Sequence, residues 1–235
     1  CNKIWNAVRF VLLNLVDDTP VSDYEIDQLC REKDRLALEE RWILNRLQKI
    51  IIETNENLEK FRFHEASNQL YHFFWHEVCD WFIELSKTKI TGVGAEQKKH
   101  ADRVAAYVLE TCLRLLHPFI PFITEELWQN LPHEGVSIMK ARYPVSTKKW
   151  LDLGVEGQME GLQELITSIR TARAENNIDP RKKAVLQLVP SNQNQEFLVS
   201  QLHHVENLGQ AERIEFVSNL ERVSGRVEGV DLLAE

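Results

Sequence analysis

An aromatic-rich stretch between Phe61 and Lys89 constrains the fold of this chain more than any other. Its apolar residues recur at gaps of three and four, the spacing of one helix face: Ala66, Leu70, Phe73, Phe74, Val78, Trp81 and Leu85. Neither Pro nor Gly interrupts the stretch, so an unbroken helix is allowed. Six aromatic side chains lie between Tyr71 and Phe82, too many for a helix that is covered on one side only. The stretch therefore predicts the central helix of a bundle.

Four further helical patterns precede or follow this stretch within the first 135 residues. They span residues 2–15, 35–59, 96–116 and 121–131. The segment 17–27 contains Thr19-Pro20 and is predicted to be a loop. Short connections between successive helices favour an up-and-down bundle.

The pattern changes after residue 145. Helices are predicted over 158–176 and 197–208, and strands over 184–190, 213–217 and 225–233. The order of helix, strand, helix and strand indicates a small α/β module. The predicted fold is mainly α, with a helical bundle over residues 1–145, a linker at about 146–156 and the α/β module over 146–235.

The overall charge and the cysteines limit the possible functions. The net charge of −8 argues against a generally basic nucleic-acid binder but permits a local basic patch. No apolar run approaches the ~20 residues that span a bilayer. The four cysteines form no CxxC pair, so neither a zinc knuckle nor a disulfide framework is indicated. Cys79 and Cys112 are expected to be buried, reduced thiols in a reducing compartment.

Catalytic and metal-binding motifs are scarce in this sequence. The P-loop, GxGxxG, GxSxG and HExxH patterns are all missing. His72 and His76 lie four residues apart on the central helix, a spacing that could hold zinc or could simply be two polar surface positions. Glu125 and Glu126 are expected near the N-terminal end of a helix, where carboxylates favour the helix dipole. We assign no catalytic residue and no metal.

Two groups of residues could bind RNA. Arg170, Arg173, Arg181, Lys182 and Lys183 form a basic cluster that is either an RNA-binding patch or a solvated surface. The first helix combines aromatic, amide and basic side chains, which is the set that reads unstacked RNA bases. Its members are Asn2, Lys3, Trp5, Asn6 and Arg9, and Trp5 could equally pack in the core.

Several motifs together resemble the anticodon-binding region of a known enzyme family. They include KIWNAVRFVLLNL, RWILNRLQKI, FRFHEASNQLYHFFWHEVCDWFIELSK, LLHPFIPFITEELWQNL and IRTARAENNIDPRKK. In this order they resemble valyl-tRNA synthetases, class I ligases that use ATP to join valine to its tRNA. The isoleucyl and leucyl relatives share part of the pattern. The family's HIGH and KMSKS signatures are missing here, so its catalytic residues transfer to no position of this chain.

The resemblance implies a tRNA-binding piece of a longer enzyme. By similarity the first helix faces the anticodon loop, where valine anticodons share A and C at their second and third positions. Asn2 and Asn6 would read base edges, Arg9 would stack on or bond to a base, and Lys3 would meet phosphate. Trp42 and Arg46 of the second helix are further candidates. Arg170, Arg173, Lys182 and Lys183 would contact tRNA backbone or the catalytic domain of the same chain.

Other expectations follow from the same resemblance. The partner is expected to be valine tRNA, the protein a monomer, and its location cytoplasmic, with an organellar parent left open. No cofactor is expected in this piece, whereas the parent would use ATP with Mg. The alternatives are the corresponding region of an isoleucyl-tRNA synthetase, a helical protein-interaction module without an RNA role, and a metal-dependent enzyme that uses His72 and His76.

Overall fold

The structure is a computed structural model that describes residues 2–31, 35–91, 95–147, 152–179, 181–189 and 195–217. Its residue contacts divide the chain into two compact units, Cys1–Val155 and Glu156–Glu235. The first unit is helical and the second combines helices with a small sheet, so the predicted fold class is confirmed. The predicted domain boundary at residue 145 stays a prediction.

The aromatic stretch forms one continuous helical rod with three parts. α4 (Phe63–His72) passes into a π-helical segment (Phe73–Phe82), which passes into α5 (Ile83–Ile90). The predicted central helix is therefore confirmed, but ten of its residues adopt the wider π geometry, in which hydrogen bonds run from i to i+5. The bundle side of the rod buries Phe73, Phe74 and Phe82, each at most 3% exposed.

The remaining helices of the first unit cover this rod. They are α1 (Asn2–Asn14), α2 (Asp23–Arg31), α3 (Leu38–Glu59), α6 (Ala95–Leu116) and α7 (Pro121–Trp128). Residues of α3 and α6 are fully shielded from solvent, among them Ile43, Leu44, Val104 and Leu109. Cys79 and Cys112 are buried free thiols, as expected. Burial raises the pKa of Cys79 to about 12, which keeps this thiol protonated at neutral pH.

The prediction of a loop over residues 17–27 is wrong at its C-terminal end, because α2 begins within it. The Ser22 Oγ accepts the backbone N–H of Glu25 at 3.1 Å and so caps the helix. Ser22 and Glu25 also match the S-x-x-E pattern of a capping box, a signal that was available in the sequence.

One buried arginine fastens the α1–α2 connection to α6. Arg103, 4% exposed, donates to both carboxylate oxygens of Glu25 at 2.7 and 2.6 Å. Its guanidinium also donates to the carbonyls of Thr19 and Pro20. The four bonds satisfy a charge that would be costly to bury alone.

Side-chain amides along α3 hold the chain that follows the bundle. Asn55 donates to the carbonyl of Pro144 at 2.9 Å, and Gln48 accepts the backbone N–H of Thr147 at 2.9 Å. Asn45, which is fully buried, accepts the backbone N–H of Asp152 at 2.8 Å. These bonds tie Pro144, Thr147 and Asp152 to α3.

The second unit is built around a parallel pair of strands. α8 (Leu153–Glu175) is followed by β1 (Ala184–Leu188), α9 (Gln195–Gly209) and β2 (Ala211–Phe216), and α9 is the crossover between the strands. Asn177 adopts a φ of +53° just after α8 and ends that helix, as predicted. The strand predicted over 225–233 lies outside the described residues.

No helix in the described part of the chain has the combination of length and apolarity that crossing a bilayer requires.

A carboxyl buried at the start of α3 gives a pH prediction. Glu40, 2% exposed, accepts the backbone N–H of Ala37 at 2.8 Å, and burial raises the pKa of its carboxyl to about 7. Because the folded pKa lies above the unfolded value, the contribution of Glu40 to stability is complete below about pH 4.5 and is lost as the pH rises through about 7. In the parent protein, Glu40 should lower the free energy of unfolding by about 2–3 kcal/mol between pH 4.5 and pH 7. In Glu40→Gln this decrease should be missing.

The measurement is urea unfolding at a series of pH values. Glu53→Gln, an exposed position on the same helix, is the matched control and should keep the parent profile. An unchanged pH profile in Glu40→Gln would show that this carboxyl is already ionised in the folded protein.

Candidate nucleic-acid interface

The outer face of α1 presents the predicted base-reading side chains to solvent. Ala7, Val8 and Val11 are buried and fix one side of the helix against the bundle. Four residues with i, i+3, i+4 and i+7 spacing lie on the opposite side of the helix. We call them the α1 outer face: Asn2, Trp5, Asn6 and Arg9.

The side chains of the α1 outer face are available to a ligand. Asn2, Asn6 and Arg9 are all exposed, and within the described residues none of them forms a hydrogen bond or ion pair. Trp5 is 44% exposed, which excludes full burial in the core. Amide groups, a guanidinium and an indole therefore share one open surface, where they can stack on bases and bond to base edges.

The side chain of Lys3, in contrast, is held by contacts within the protein. Its Nζ lies 2.5 Å from Oδ1 of Asp80 and 4.2 Å from the ring centroid of Trp75. Lys3 thus joins α1 to the π segment, and the carboxylate of Asp80 offsets its charge. Direct phosphate binding by Lys3, as the sequence suggested, is not favoured by this arrangement.

The two candidates on α3 occupy structural positions. Trp42, which the sequence offered as a base contact, is 5% exposed, so its indole packs in the core and has no open face for a base in this structure. The Nε and Nη2 atoms of Arg46 bind the two carboxylate oxygens of Glu77 at 2.6 and 2.9 Å. This bidentate pair holds α3 against the π segment.

The chain is similar to a known family over most of its length. Residues 40–189 match the family described as the anticodon-binding domain of tRNA ligase. The chain is 40% identical to the valine–tRNA ligase of Fervidobacterium nodosum over 95% of the chain and 24% of that protein. It is 42% identical to the enzyme of Bacillus cereus over 80% of the chain and 20% of that protein. It is 37% identical to the enzyme of Listeria innocua over 94% of the chain and 24% of that protein.

This protein belongs to the anticodon-binding domain family of tRNA ligases. It spans about a quarter of the length of the valine–tRNA ligases that it matches. The family match begins within α3, so α1 precedes the matched residues. The α1 outer face is accordingly a conclusion from the geometry of this chain.

The basic cluster of the anticodon-binding domain divides into structural and exposed members. Arg173, 7% exposed, donates to the backbone carbonyls of Gln210, Asp179 and Lys182. These bonds join the end of α8 to the two following turns, so the Arg173 guanidinium has a structural role in this fold. Arg170 is exposed and donates to the carbonyl of Leu208 at 3.0 Å.

The other cluster members, Arg181, Lys182 and Lys183, are exposed on the approach to β1. They remain accessible to phosphates. The sequence could not separate them from Arg173, because the i,i+3 spacing of Arg170 and Arg173 places both on one side of α8 and does not reveal what covers it.

The histidine pair of the anticodon-binding domain makes contacts of its own in the described part of the chain. The His72 and His76 rings stack with centroids 5.6 Å apart, and His76 Nδ1 lies 3.3 Å from Oδ2 of Asp80. In the described part of the chain no group of three or more His, Cys, Asp or Glu side chains is arranged to hold a metal.

Arg173 and Arg170, one buried and one exposed on α8, give a stability prediction. Arg173→Ala removes a buried guanidinium that bonds to three backbone carbonyls and should destabilise the second unit by roughly 2–4 kcal/mol. Arg170→Ala replaces an exposed side chain that bonds to the carbonyl of Leu208 and should cost less than Arg173→Ala. Hydrogen exchange of the β1 and β2 amides measures the difference. Equal protection in the two variants would contradict the structural role of Arg173.

Proposed function

We propose that this chain is the anticodon-binding part of a valyl-tRNA synthetase and that α1 binds the unpaired anticodon loop of valine tRNA. The observation that carries the proposal is the α1 outer face, where exposed amide, guanidinium and indole groups stand together. Proteins that read single-stranded RNA use side chains of these types for base stacking and base-edge hydrogen bonds.

Each residue has a distinct role in this proposal. The amides of Asn2 and Asn6 donate to and accept from base edges. The Arg9 guanidinium stacks on a splayed base or bonds to its edge, and Trp5 offers a partly open ring beside it. Arg9 is also the cation of α1 that no carboxylate offsets among the described residues, so it contributes attraction to the RNA as well.

The relatives favour valine over isoleucine. The family pattern alone fits several class I synthetases, whereas the similar proteins from three bacterial genera are all named valine–tRNA ligases. An isoleucyl-tRNA synthetase is therefore the second candidate. The isolated chain would separate the two by its preference between valine and isoleucine tRNAs.

The wider setting belongs to the same proposal. The longer enzyme would use ATP and Mg, and we assign neither of them to a residue of this chain. The protein is proposed to act as a cytoplasmic monomer. Lys182 and Lys183, with Arg170, would meet tRNA backbone or the catalytic domain. Backbone contacts of the two lysines would appear as a weaker dependence of affinity on salt after their replacement by Ala.

The experiment for this function is a binding titration with valine tRNA. Arg9→Ala should weaken binding by about 1–3 kcal/mol, the usual scale for one base contact. Arg31→Ala removes an exposed arginine from α2 and serves as the matched control. Equal affinities for the parent, Arg9→Ala and Arg31→Ala would remove α1 from the interface.

A further inference from the structure

A group of partly exposed aromatic rings lies beside α1 and has no role in the function described so far. Tyr71 stacks on Trp75 with centroids 5.4 Å apart and planes at 27°. Tyr71 is also edge-on to His72 and His76 at 5.6 and 6.5 Å. Although it sits within the rod that organises the bundle, Tyr71 is 49% exposed.

The π geometry explains how the inner ring of this group is supported. Trp75 and Asp80 are five residues apart, a separation that puts two side chains on different faces of an α-helix with 3.6 residues per turn. The π segment winds more loosely, with hydrogen bonds from i to i+5, and this brings the two side chains toward the same side of the rod. Lys3 can therefore contact the Trp75 ring at 4.2 Å and the Asp80 carboxylate at 2.5 Å with one ammonium.

Tyr71 is the outermost residue in this series of contacts. Asp80 lies five residues after Trp75, and Lys3 reaches the indole while its ammonium is bound to this carboxylate. Tyr71 precedes Trp75 by one turn and lies on the N-terminal side. The series runs from Lys3 through Trp75 to Tyr71, and it ends at a phenol ring that is half open to solvent.

The chemistry and position of this ring fit an unpaired base. Aromatic side chains supported from behind are stacking platforms for single-stranded RNA, because every base offers a π face. Lys3 adjoins Asn2 in the chain and lies one turn before Asn6, so the supported rings border the α1 outer face. Successive bases of one loop can thus meet the two surfaces.

The geometry points to Tyr71 as a base-stacking residue for the anticodon loop, with Trp75 and Lys3 as the residues that position it. This inference rests on the proposed function and extends its site from α1 onto the central rod. The occupant is an unpaired nucleobase of the loop, and the phosphates are not needed for this contact.

Affinity for an anticodon stem–loop RNA of valine tRNA tests the stacking in the full chain. Tyr71→Ala should weaken binding roughly 5- to 150-fold, the scale of one lost base stack. Tyr71→Phe keeps the ring and should bind like the parent. Phe122→Ala is the matched control, because Phe122 is a 91% exposed aromatic residue on α7. Circular dichroism and urea unfolding confirm that each variant is folded.

A second measurement separates stacking from a merely structural effect. Stem–loops with an abasic nucleotide at each loop position in turn are titrated against the parent and Tyr71→Ala. If Tyr71 stacks on one base of the loop, the RNA that lacks this base should bind the parent protein more weakly than the intact RNA does. The Tyr71→Ala variant should bind these two RNAs equally. Additive losses at every position would overturn the stacking role.

The role of Lys3 is tested by the salt dependence of binding. Lys3→Met should lower affinity, because Trp75 loses its support, while the slope of log affinity against log salt stays as in the parent. A slope reduced by roughly 0.7–0.9 would identify a lost phosphate contact and overturn the positioning role.

The outcomes distinguish this inference from the function on which it rests. If Arg9→Ala weakens binding and Tyr71→Ala does not, the stacking role is wrong and the anticodon-binding function stands. If the parent chain does not bind the stem–loop, or if neither substitution changes affinity, both fail.

Discussion

Burial of the apolar side of the rod Phe63–Ile90 is the constraint on which the first unit depends. Phe73, Phe74 and Phe82 leave solvent only if α3 and α6 lie against the rod, and the burial of such large rings is strongly favourable. Specific polar contacts then fix the neighbours in place. The bidentate pair between Arg46 and Glu77 holds α3, and the bond between Lys3 and Asp80 holds α1.

This arrangement connects packing to function through α1. The buried side of α1 is small and apolar, so the helix can sit flat on the bundle and turn its polar residues outward. Asn2, Asn6 and Arg9 are consequently presented without intramolecular partners among the described residues. The same contact that seats α1 also places it beside the exposed end of the aromatic group on the rod.

Much of this architecture could be predicted from the sequence, and the failures have physical reasons. The helical spacing of apolar residues locates the long helices, because few other secondary structures place such residues on one side. The same spacing cannot show whether a polar or amphipathic side chain is covered by another element. For this reason the sequence places Trp42 and Arg173 at the interface although both are buried, and it does not reveal that ten residues of the rod are π-helical.

Photo-crosslinking tests the central claim, that the anticodon loop lies across α1 and the adjoining end of the rod, most directly. A photoreactive uridine is placed in the loop of a valine tRNA, crosslinked to the chain, and its protein partners are mapped by mass spectrometry. We predict crosslinks to residues between Asn2 and Arg9 and to the peptide that contains Tyr71. Crosslinks confined to residues outside these two segments would contradict the account.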